Sequence, residues 1–161
     1  MIIDTSQKSA YQAVNVALVY RNWLIGYRIA EEILNGNKRA EYGSEVIKKL
    51  SKELTKLYGK GFIKFNLYSF YKFYTMYSNI FQTLSGKSTN KLLSWSHYQI
   101  LRQVHDDTSR EWYANEALNE SWNVRTLQRN ISFQYYYRLL KTQKKELVNI
   151  KMINYHLSQI L

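Results

Sequence analysis

The chain of 161 residues contains no proline and no cysteine. Proline is the commonest interrupter of helices, and average usage predicts roughly eight prolines in a chain of this length. Its absence therefore favours a fold dominated by helices. The absence of cysteine excludes a disulfide framework and thiolate sites for zinc or iron–sulfur clusters, which makes the cytoplasm the expected compartment.

Long apolar runs are also missing. No segment approaches the length that crossing a bilayer requires, and the N-terminus lacks the basic stretch followed by an apolar stretch that marks an export signal. We therefore expect a protein that is neither exported nor membrane-spanning. The length fits one ordinary domain with little room for a second core.

Acidic residues are scarce, with 12 Asp and Glu against 23 Lys and Arg and a net charge of +11. No acidic residue occurs between Leu54 and His105, and after Glu120 only Glu146 is acidic. A field of this sign raises association with polyanions, so nucleic acid or an anionic lipid surface is an expected partner. The alternative interpretation is an AT-rich coding bias, since Lys, Asn, Ile and Tyr are abundant together.

Apolar residues recur at helical spacing in the first half of the chain. The first predicted helix runs from about Thr5 to Leu34. A second follows a polar loop, with Ser44 as its cap and Gly59 at its end. A third carries many aromatic residues between Leu67 and Leu84, which indicates a buried central helix.

The second half of the chain predicts further helices. A short one is capped by Ser94 or Ser96, and the next begins at a capping box formed by Thr108 and Glu111 and runs to about Asn119. A sixth helix is capped by Asn123 and continues past Leu140. The tail, residues 144–161, also has helical spacing.

No strand pattern and no repeat at a fixed period accompany these helices. The sequence therefore predicts an all-α, multi-helical domain with helix-turn-helix-like substructure over residues 1–142. Residues 143–161 are predicted to form a C-terminal helical extension, a candidate oligomerisation or docking segment.

Sites for catalysis, cofactors and metals are not evident, so we expect no enzyme activity, no cofactor and no metal. The segment 85–89 resembles the end of a phosphate-binding loop, but Phe81 stands where that motif needs glycine. None of the acidic residues has a lysine two positions later, the spacing common in metal-dependent nucleases. His97, His105 and His156 are far apart in sequence, which favours structural or surface roles.

Two segments have the order helix, tight turn, helix with basic residues on the second helix. The stronger candidate is Glu111 to Ile131, with a turn at residues 120–122. Arginine and glutamine side chains match base edges and phosphates, so a helix that presents them from its first turns can enter the major groove. The DNA-binding residues predicted here are Asn123, Arg125, Gln128 and Arg129.

The second candidate is Glu45 to Tyr74, in which lysines are interleaved with tyrosines. Lys60, Lys64 and Lys72 are predicted to contact phosphates, which positions a protein on DNA without reading its sequence. Tyr68 is predicted to face outward with them, and such tyrosines can stack on unpaired bases. The competing interpretation is that aromatic residues at helical spacing form the core.

Several ordered motifs resemble the N-terminal domain of the YhcG-like family over about residues 10 to 140. The matching pieces are Trp23-Leu24-Ile25-Gly26, Tyr42-Gly43 with Leu50-Ser51, Gly61-Phe62 with Asn66-Leu67 and Phe73-Tyr74, Leu93-Ser94-Trp95-Ser96-His97-Tyr98, and Arg110-Glu111-Trp112-Tyr113-Ala114 with Trp122-Asn123-Val124-Arg125.

The resemblance implies a helical DNA-binding domain that in longer relatives precedes a PD-(D/E)XK nuclease domain, often near restriction or other mobile defence genes. It also implies a capping serine after Gly61-Phe62, where this chain has Ile63, so the third helix is expected to begin differently. The chain is then a stand-alone version or a fragment of such a protein, with the nuclease domain as a partner in cis or in trans.

The leading hypothesis is a non-catalytic DNA-binding module of a nuclease-associated system. The alternative is a protein-interaction module, in which exposed aromatic residues and the C-terminal helix pair two chains or dock a separate nuclease. RNA binding is a third hypothesis, which no recognised RNA-binding signature supports.

Overall fold

The computed structural model describes residues 2–35, 40–80, 92–142, 149–150 and 152–154. The regular structure of these residues is helical, without a strand among them, which confirms the all-α prediction. The chain divides into two compact units, Met1–Trp95 (unit 1) and Ser96–Leu161 (unit 2). None of the helices in the described ranges is long and apolar enough to cross a membrane.

Before residue 81, the described part of unit 1 forms three α-helices: α1 (Ile2–Asn35), α2 (Ala40–Tyr58) and α3 (Lys64–Met76). Ser44 does not cap α2 as predicted, because the helix already begins at Ala40 and Ser44 lies within it. Gly43 does not interrupt the helix. It is buried instead, and a Cβ atom there would lie 3.2 Å from Ile33 Cδ1, so the glycine lets α2 pack closely on α1.

A short connection joins α2 to α3. As predicted, Gly59 ends α2, and its φ of 89° lies in the left-handed region that glycine adopts at little cost. A 3-10 turn, Lys60–Phe62, follows. Ile63 then stands at the N-cap of α3 in an extended conformation without a side-chain hydrogen bond, which confirms that this helix starts without a capping side chain.

The backbones of α1 and α3 approach each other closely at Gly26. A Cβ atom on Gly26 would lie 2.1 Å from the Phe70 carbonyl oxygen, so no larger residue fits there without moving a helix. The core of unit 1 surrounds this point and includes Ile29, Ile47, Leu67 and Phe70, all almost fully buried. The third helix is therefore a central helix packed in the core, as predicted, but it ends at Met76, whereas the aromatic spacing predicts that it continues past Tyr77.

The apolar stripe of α1 has two different halves. Ile29 is 2% exposed and belongs to the core, whereas Val14 and Leu18 are 58% and 40% exposed. From Ile2 to Val14 every residue of the helix is exposed. The helical spacing of apolar residues thus identified the helix correctly, but the apolar side chains in its first half are exposed to solvent and not packed in the core of unit 1.

Unit 2 contains α4 (Trp95–Leu101, which starts at the last residue of unit 1), α5 (Asp107–Asn119), α6 (Val124–Ser132) and α7 (Tyr135–Lys141). The fourth helix is short as predicted, and Ser94 directly precedes it while Ser96 lies inside it. Residues 149–150 and 152–154 of the tail are helical. The rest of the extension predicted over residues 143–161, including His156, lies outside the described residues. The segment 85–89 and the predicted third-helix residues Phe81 and Leu84 also lie outside them.

Two predictions in unit 2 are wrong. Asp106, and not Thr108, caps α5, because its carboxylate accepts a hydrogen bond from the Ser109 amide at 2.7 Å. The predicted sixth helix is two helices, since Gln134 has a φ of 51° and separates α6 from α7. Such a left-handed conformation is uncommon for a residue other than glycine.

Candidate nucleic-acid interface

A turn of four residues, 120–123, joins α5 to α6. Ser121 adopts a left-handed conformation with a φ of 52°, and Asn123 then caps α6 by accepting a hydrogen bond from the Thr126 amide at 2.8 Å. The predicted cap is confirmed. It also fixes the point at which α6 leaves the turn, and with it the directions of the side chains in the first turns of α6.

Aromatic residues of α5 pack against the turn before α6 and against the start of α7. Trp112 of α5 is 1% exposed, and its ring packs against the rings of Trp122, Tyr135 and Tyr136 at centroid distances of 6.4, 5.9 and 5.4 Å. His97 Nε2 lies 2.9 Å from the Trp122 carbonyl oxygen, to which it can donate a hydrogen bond. The turn before α6 is therefore fixed by both ring packing and a hydrogen bond.

The hydroxyl of Tyr113 links α6 to α7. It donates to the Asn130 carbonyl at 3.3 Å and accepts from the Tyr136 amide at 3.1 Å. Burial raises the pKa of Tyr113, which keeps the hydroxyl protonated and able to donate. One buried side chain thus satisfies the end of one helix and the start of the next, across the break at Gln134.

The outer face of α6 carries two exposed arginines. Arg125 and Arg129 are four residues apart, so they lie one turn apart on the same face, while Leu127 on the opposite side is fully buried. Phe133, four residues further, continues the row and is 62% exposed. We call Arg125, Arg129 and Phe133 the outer row.

The other two residues predicted on this helix are less available. Gln128 is half-buried, and its Nε2 lies 3.4 Å from the Ser132 hydroxyl oxygen. Asn123 is exposed, but its side-chain oxygen is already used in the cap. The two arginines therefore offer the most accessible donors of the four predicted residues.

No acidic residue lies between Ser121 and Thr142. Arg138 and Lys141 on α7 are exposed in addition to the two arginines of the outer row. This stretch therefore contributes only positive charge of its own, which suits an anionic ligand, although the Asp106 carboxylate approaches α7 at the Tyr137 hydroxyl, 3.5 Å away.

The three predicted lysines belong to unit 1 and so form a separate set. Lys60 lies in the 3-10 turn, Lys64 and Lys72 lie on α3, and all three are exposed. The prediction that Tyr68 faces outward with them is wrong: it is half-buried and packs against the core of unit 1. The Lys64 ammonium lies 6.0 Å from the centre of its ring, the outer limit of a cation–π contact.

Acidic residues and histidines form no group of three or more that could hold a metal ion within the described parts of the chain. His97 is half-buried beside the Trp122 carbonyl, and His105 is exposed in the segment before α5. These two histidines therefore have separate surroundings.

Comparison with known proteins places this sequence in a family. The sequence matches the DUF1016 N-terminal domain over residues 1–138. The chain belongs to the DUF1016 N-terminal domain family. A relative from Escherichia coli (strain K12), named "Putative nuclease YhcG", is 31% identical over 172 aligned residues, which cover 89% of this chain and 45% of the relative. No solved structure gives a significant match.

The chain thus spans less than half of the length of that relative. The predicted resemblance to the YhcG-like N-terminal domain is confirmed. Several residues of the matching motifs have structural roles in this DUF1016 domain. Gly26 allows the close approach of α1 and α3, Trp112 and Trp122 form the aromatic support, and Asn123 caps α6.

The contacts of three residues important to this geometry could not be predicted from the sequence. Tyr113 and Trp112 both stand in the quoted motifs, but their hydrogen bonds and ring contacts depend on which helices pack together. Phe133 had no recognisable signal, because its exposure results from the break after α6. The sequence predicts α6 and α7 as one continuous helix, in which Phe133 would be an ordinary position on the helix surface.

Proposed function

We propose that this domain is a non-catalytic DNA-binding module of a nuclease-associated system. The observation that carries the proposal is the exposed arginine pair, Arg125 and Arg129, on a helix whose start and end are fixed by Asn123 and Tyr113. Guanidinium groups held on a rigid support lose less conformational freedom on binding phosphates or guanine edges than groups on a flexible loop.

The remaining predicted residues have supporting roles in this proposal. Lys60, Lys64 and Lys72 contact phosphates and raise affinity without reading sequence. Gln128 reaches a base after releasing its hydrogen bond to Ser132, and Asn123 acts by positioning α6 more than by touching DNA. Arg125 and Arg129 lie nearest the bases.

The partner of such a module is a nuclease domain, in cis or in trans. The relative named a nuclease is more than twice as long as the region it shares with this chain. We assign recognition of DNA to the shared region and cleavage to a PD-(D/E)XK domain outside it. Delivery of a nuclease to DNA then depends on the salt-sensitive contacts of this module.

The test measures binding of a labelled DNA duplex across a series of salt concentrations. We expect affinity to fall steeply with salt, and the double variant Arg125→Ala/Arg129→Ala to bind about tenfold or more weakly. Beside the bases the two guanidinium groups also neutralise the adjoining phosphates, so their removal lowers the slope of log affinity against log salt by about 1.8. Affinity that does not change with salt, or normal binding by the double variant, would overturn the proposal.

A matched control removes the same charge elsewhere. Lys8 and Lys52 are exposed residues of α1 and α2 that the proposal does not use. Lys8→Ala/Lys52→Ala lowers the net charge equally, so it should reduce affinity much less than the arginine variant. If the two double variants lost affinity for DNA equally, α6 would contribute only through the overall positive charge and not through specific contacts.

A second candidate function, self-association or docking of a protein partner, is supported by apolar exposure. Ile150 and Ile153 in the tail are 51% and 57% exposed, and Val14 and Leu18 lie uncovered on α1. Light scattering at high protein concentration tests this candidate. A dimer that Ile150→Ser/Ile153→Ser dissociates would support it, and a monomer at every concentration would count against pairing of two chains.

A further inference from the structure

The outer row of α6 ends in an exposed aromatic ring. Phe133 is 62% exposed, and its amide donates to the Arg129 carbonyl at 2.9 Å, so it still follows the helical path of α6. Its Cβ atom therefore lies about 6 Å from that of Arg129 on the same face. Within the described parts of the chain, the Phe133 ring packs against no other aromatic ring.

The exposure of Phe133 follows from the packing of its neighbours. Gln134 turns the chain in a left-handed conformation, and Tyr135 and Tyr136 then bring their rings to Trp112. The Tyr113 hydroxyl holds the Tyr136 amide and so fixes the turn. The chain therefore buries Tyr136 after the break and packs the exposed Tyr135 ring against Trp112, while the Phe133 ring before the break remains in solvent.

The surroundings of this ring indicate which ligand it suits. Arg129 and Arg138 are both exposed nearby in the sequence, and no acidic residue lies between Ser121 and Thr142. A ligand that satisfies both parts of the outer row must combine negative charge with flat apolar faces. Nucleic acid does so, but in a continuous duplex the base faces are already stacked, so only unpaired or terminal bases offer a face.

We propose that Phe133 stacks on an unpaired base while Arg125 and Arg129 hold the adjoining backbone, so that the preferred ligand is DNA with a junction between duplex and single strand. This inference rests on the proposed DNA-binding function and adds the class of DNA structure to it. Recognition by stacking depends little on base identity, because every base has an aromatic face.

The experiment compares three labelled DNA ligands by fluorescence anisotropy at one salt concentration: a blunt duplex, the same duplex with a short unpaired extension, and the single strand. The wild-type chain should bind the extended duplex about tenfold more tightly than the blunt one, since stacking on one base contributes about 1–3 kcal/mol. Phe133→Ala should remove this preference and leave affinity for the blunt duplex nearly unchanged. Phe133→Trp should retain it.

Phe65 provides the matched control. It is 64% exposed and lies on α3 of unit 1, outside the outer row. Phe65→Ala should leave the preference for the extended duplex intact, and circular dichroism of both alanine variants should show unchanged helix content. A loss of preference in Phe65→Ala equal to that in Phe133→Ala would overturn the assignment to Phe133.

The outcomes separate this inference from the function on which it rests. Equal wild-type affinity for blunt and extended duplexes overturns the stacking role, while salt-sensitive, arginine-dependent binding still supports the proposed function. A Phe133→Ala variant that weakens binding to all three ligands equally also overturns it. If no DNA is bound, or if the arginine variant binds normally, the proposed function fails and this inference fails with it.

Discussion

Unit 1 and unit 2 are both helical, but different forces fix their helices. In unit 1 long helices pack through a buried apolar core and a close backbone approach at Gly26, and α3 begins without a side-chain cap. In unit 2 the helices have 7 to 13 residues, and named polar groups hold their ends: Asp106, Tyr113 and Asn123.

Helix length explains this difference for α1 and α2, which have 34 and 19 residues, whereas α3 has 13 residues like α5 and relies on the face that it buries. Every helix leaves about four amides and four carbonyls without internal partners, so a short helix has proportionally more ends to satisfy. A long helix can rely on the apolar face that it buries. The comparison teaches that substitutions in unit 1 should act through packing, and those in unit 2 through single hydrogen bonds at helix ends.

The largest expected effect is that of Gly26→Ala in unit 1. The added Cβ would lie 2.1 Å from the Phe70 carbonyl oxygen, a backbone atom that cannot rotate away. We expect the free energy of unfolding, measured by urea titration, to fall by about 3 kcal/mol. Gly61→Ala is the control, because nothing lies within 4 Å of its Cβ position, and its effect should stay within about 0.5 kcal/mol. Equal effects at the two glycines would contradict the close packing of α1 on α3.

Tyr113→Phe should have the next largest effect, and it acts in unit 2. It removes one hydroxyl and leaves the Tyr136 amide buried without its partner, which costs about 1–3 kcal/mol. Hydrogen exchange should show faster exchange of the Tyr136 amide in particular. Tyr11→Phe, at a tyrosine 77% exposed, should change neither stability nor exchange. An unchanged Tyr136 amide would disprove the link between α6 and α7.

Asn123→Ala tests the cap of α6 and should cost about 1 kcal/mol of stability. Asn123→Ser keeps a side-chain oxygen that can accept from the Thr126 amide, so it should restore most of the loss. Thermal unfolding followed by circular dichroism measures both. If the serine variant were as unstable as the alanine variant, the cap would not be the cause.

The smallest expected effect is a pH dependence at Asp106. Hydrogen bonds from Ser109 lower the pKa of this carboxyl below its ordinary value. The folded state therefore binds this proton less readily than the unfolded state, so the stabilisation is present above the ordinary pKa of about 3.9 and is lost as pH falls through the lowered value. Asp106→Asn keeps an acceptor oxygen without a titrating group. The stability difference between wild type and this variant should be constant above about pH 5 and change only in acid.

Much of the fold follows from local sequence signals. Gly59 and Asn123 end and start helices as predicted, because a left-handed glycine and a capping asparagine act within one turn of themselves. The start of α5 was placed wrongly because Asp106, Asp107, Thr108 and Ser109 are all suitable caps, and only the geometry selects the first.

Features that depend on packing could not be predicted in this way. The break between α6 and α7 has no glycine or proline to mark it, and it is held by Tyr113 and Trp112 of a different helix. The outward position of Phe133 is a consequence of that break. The arginines at 125 and 129 were identified because helical spacing alone places both on one face.

The left-handed residues on either side of α6 limit which sequences can present the same surface. Ser121 and Gln134 hold a backbone conformation that glycine and asparagine adopt readily and that β-branched side chains adopt only with strain. Selection that preserves the outer row therefore acts on two positions outside that row. Variation at 121 and 134 should be narrow in residue type, although both side chains are exposed and could tolerate many sizes.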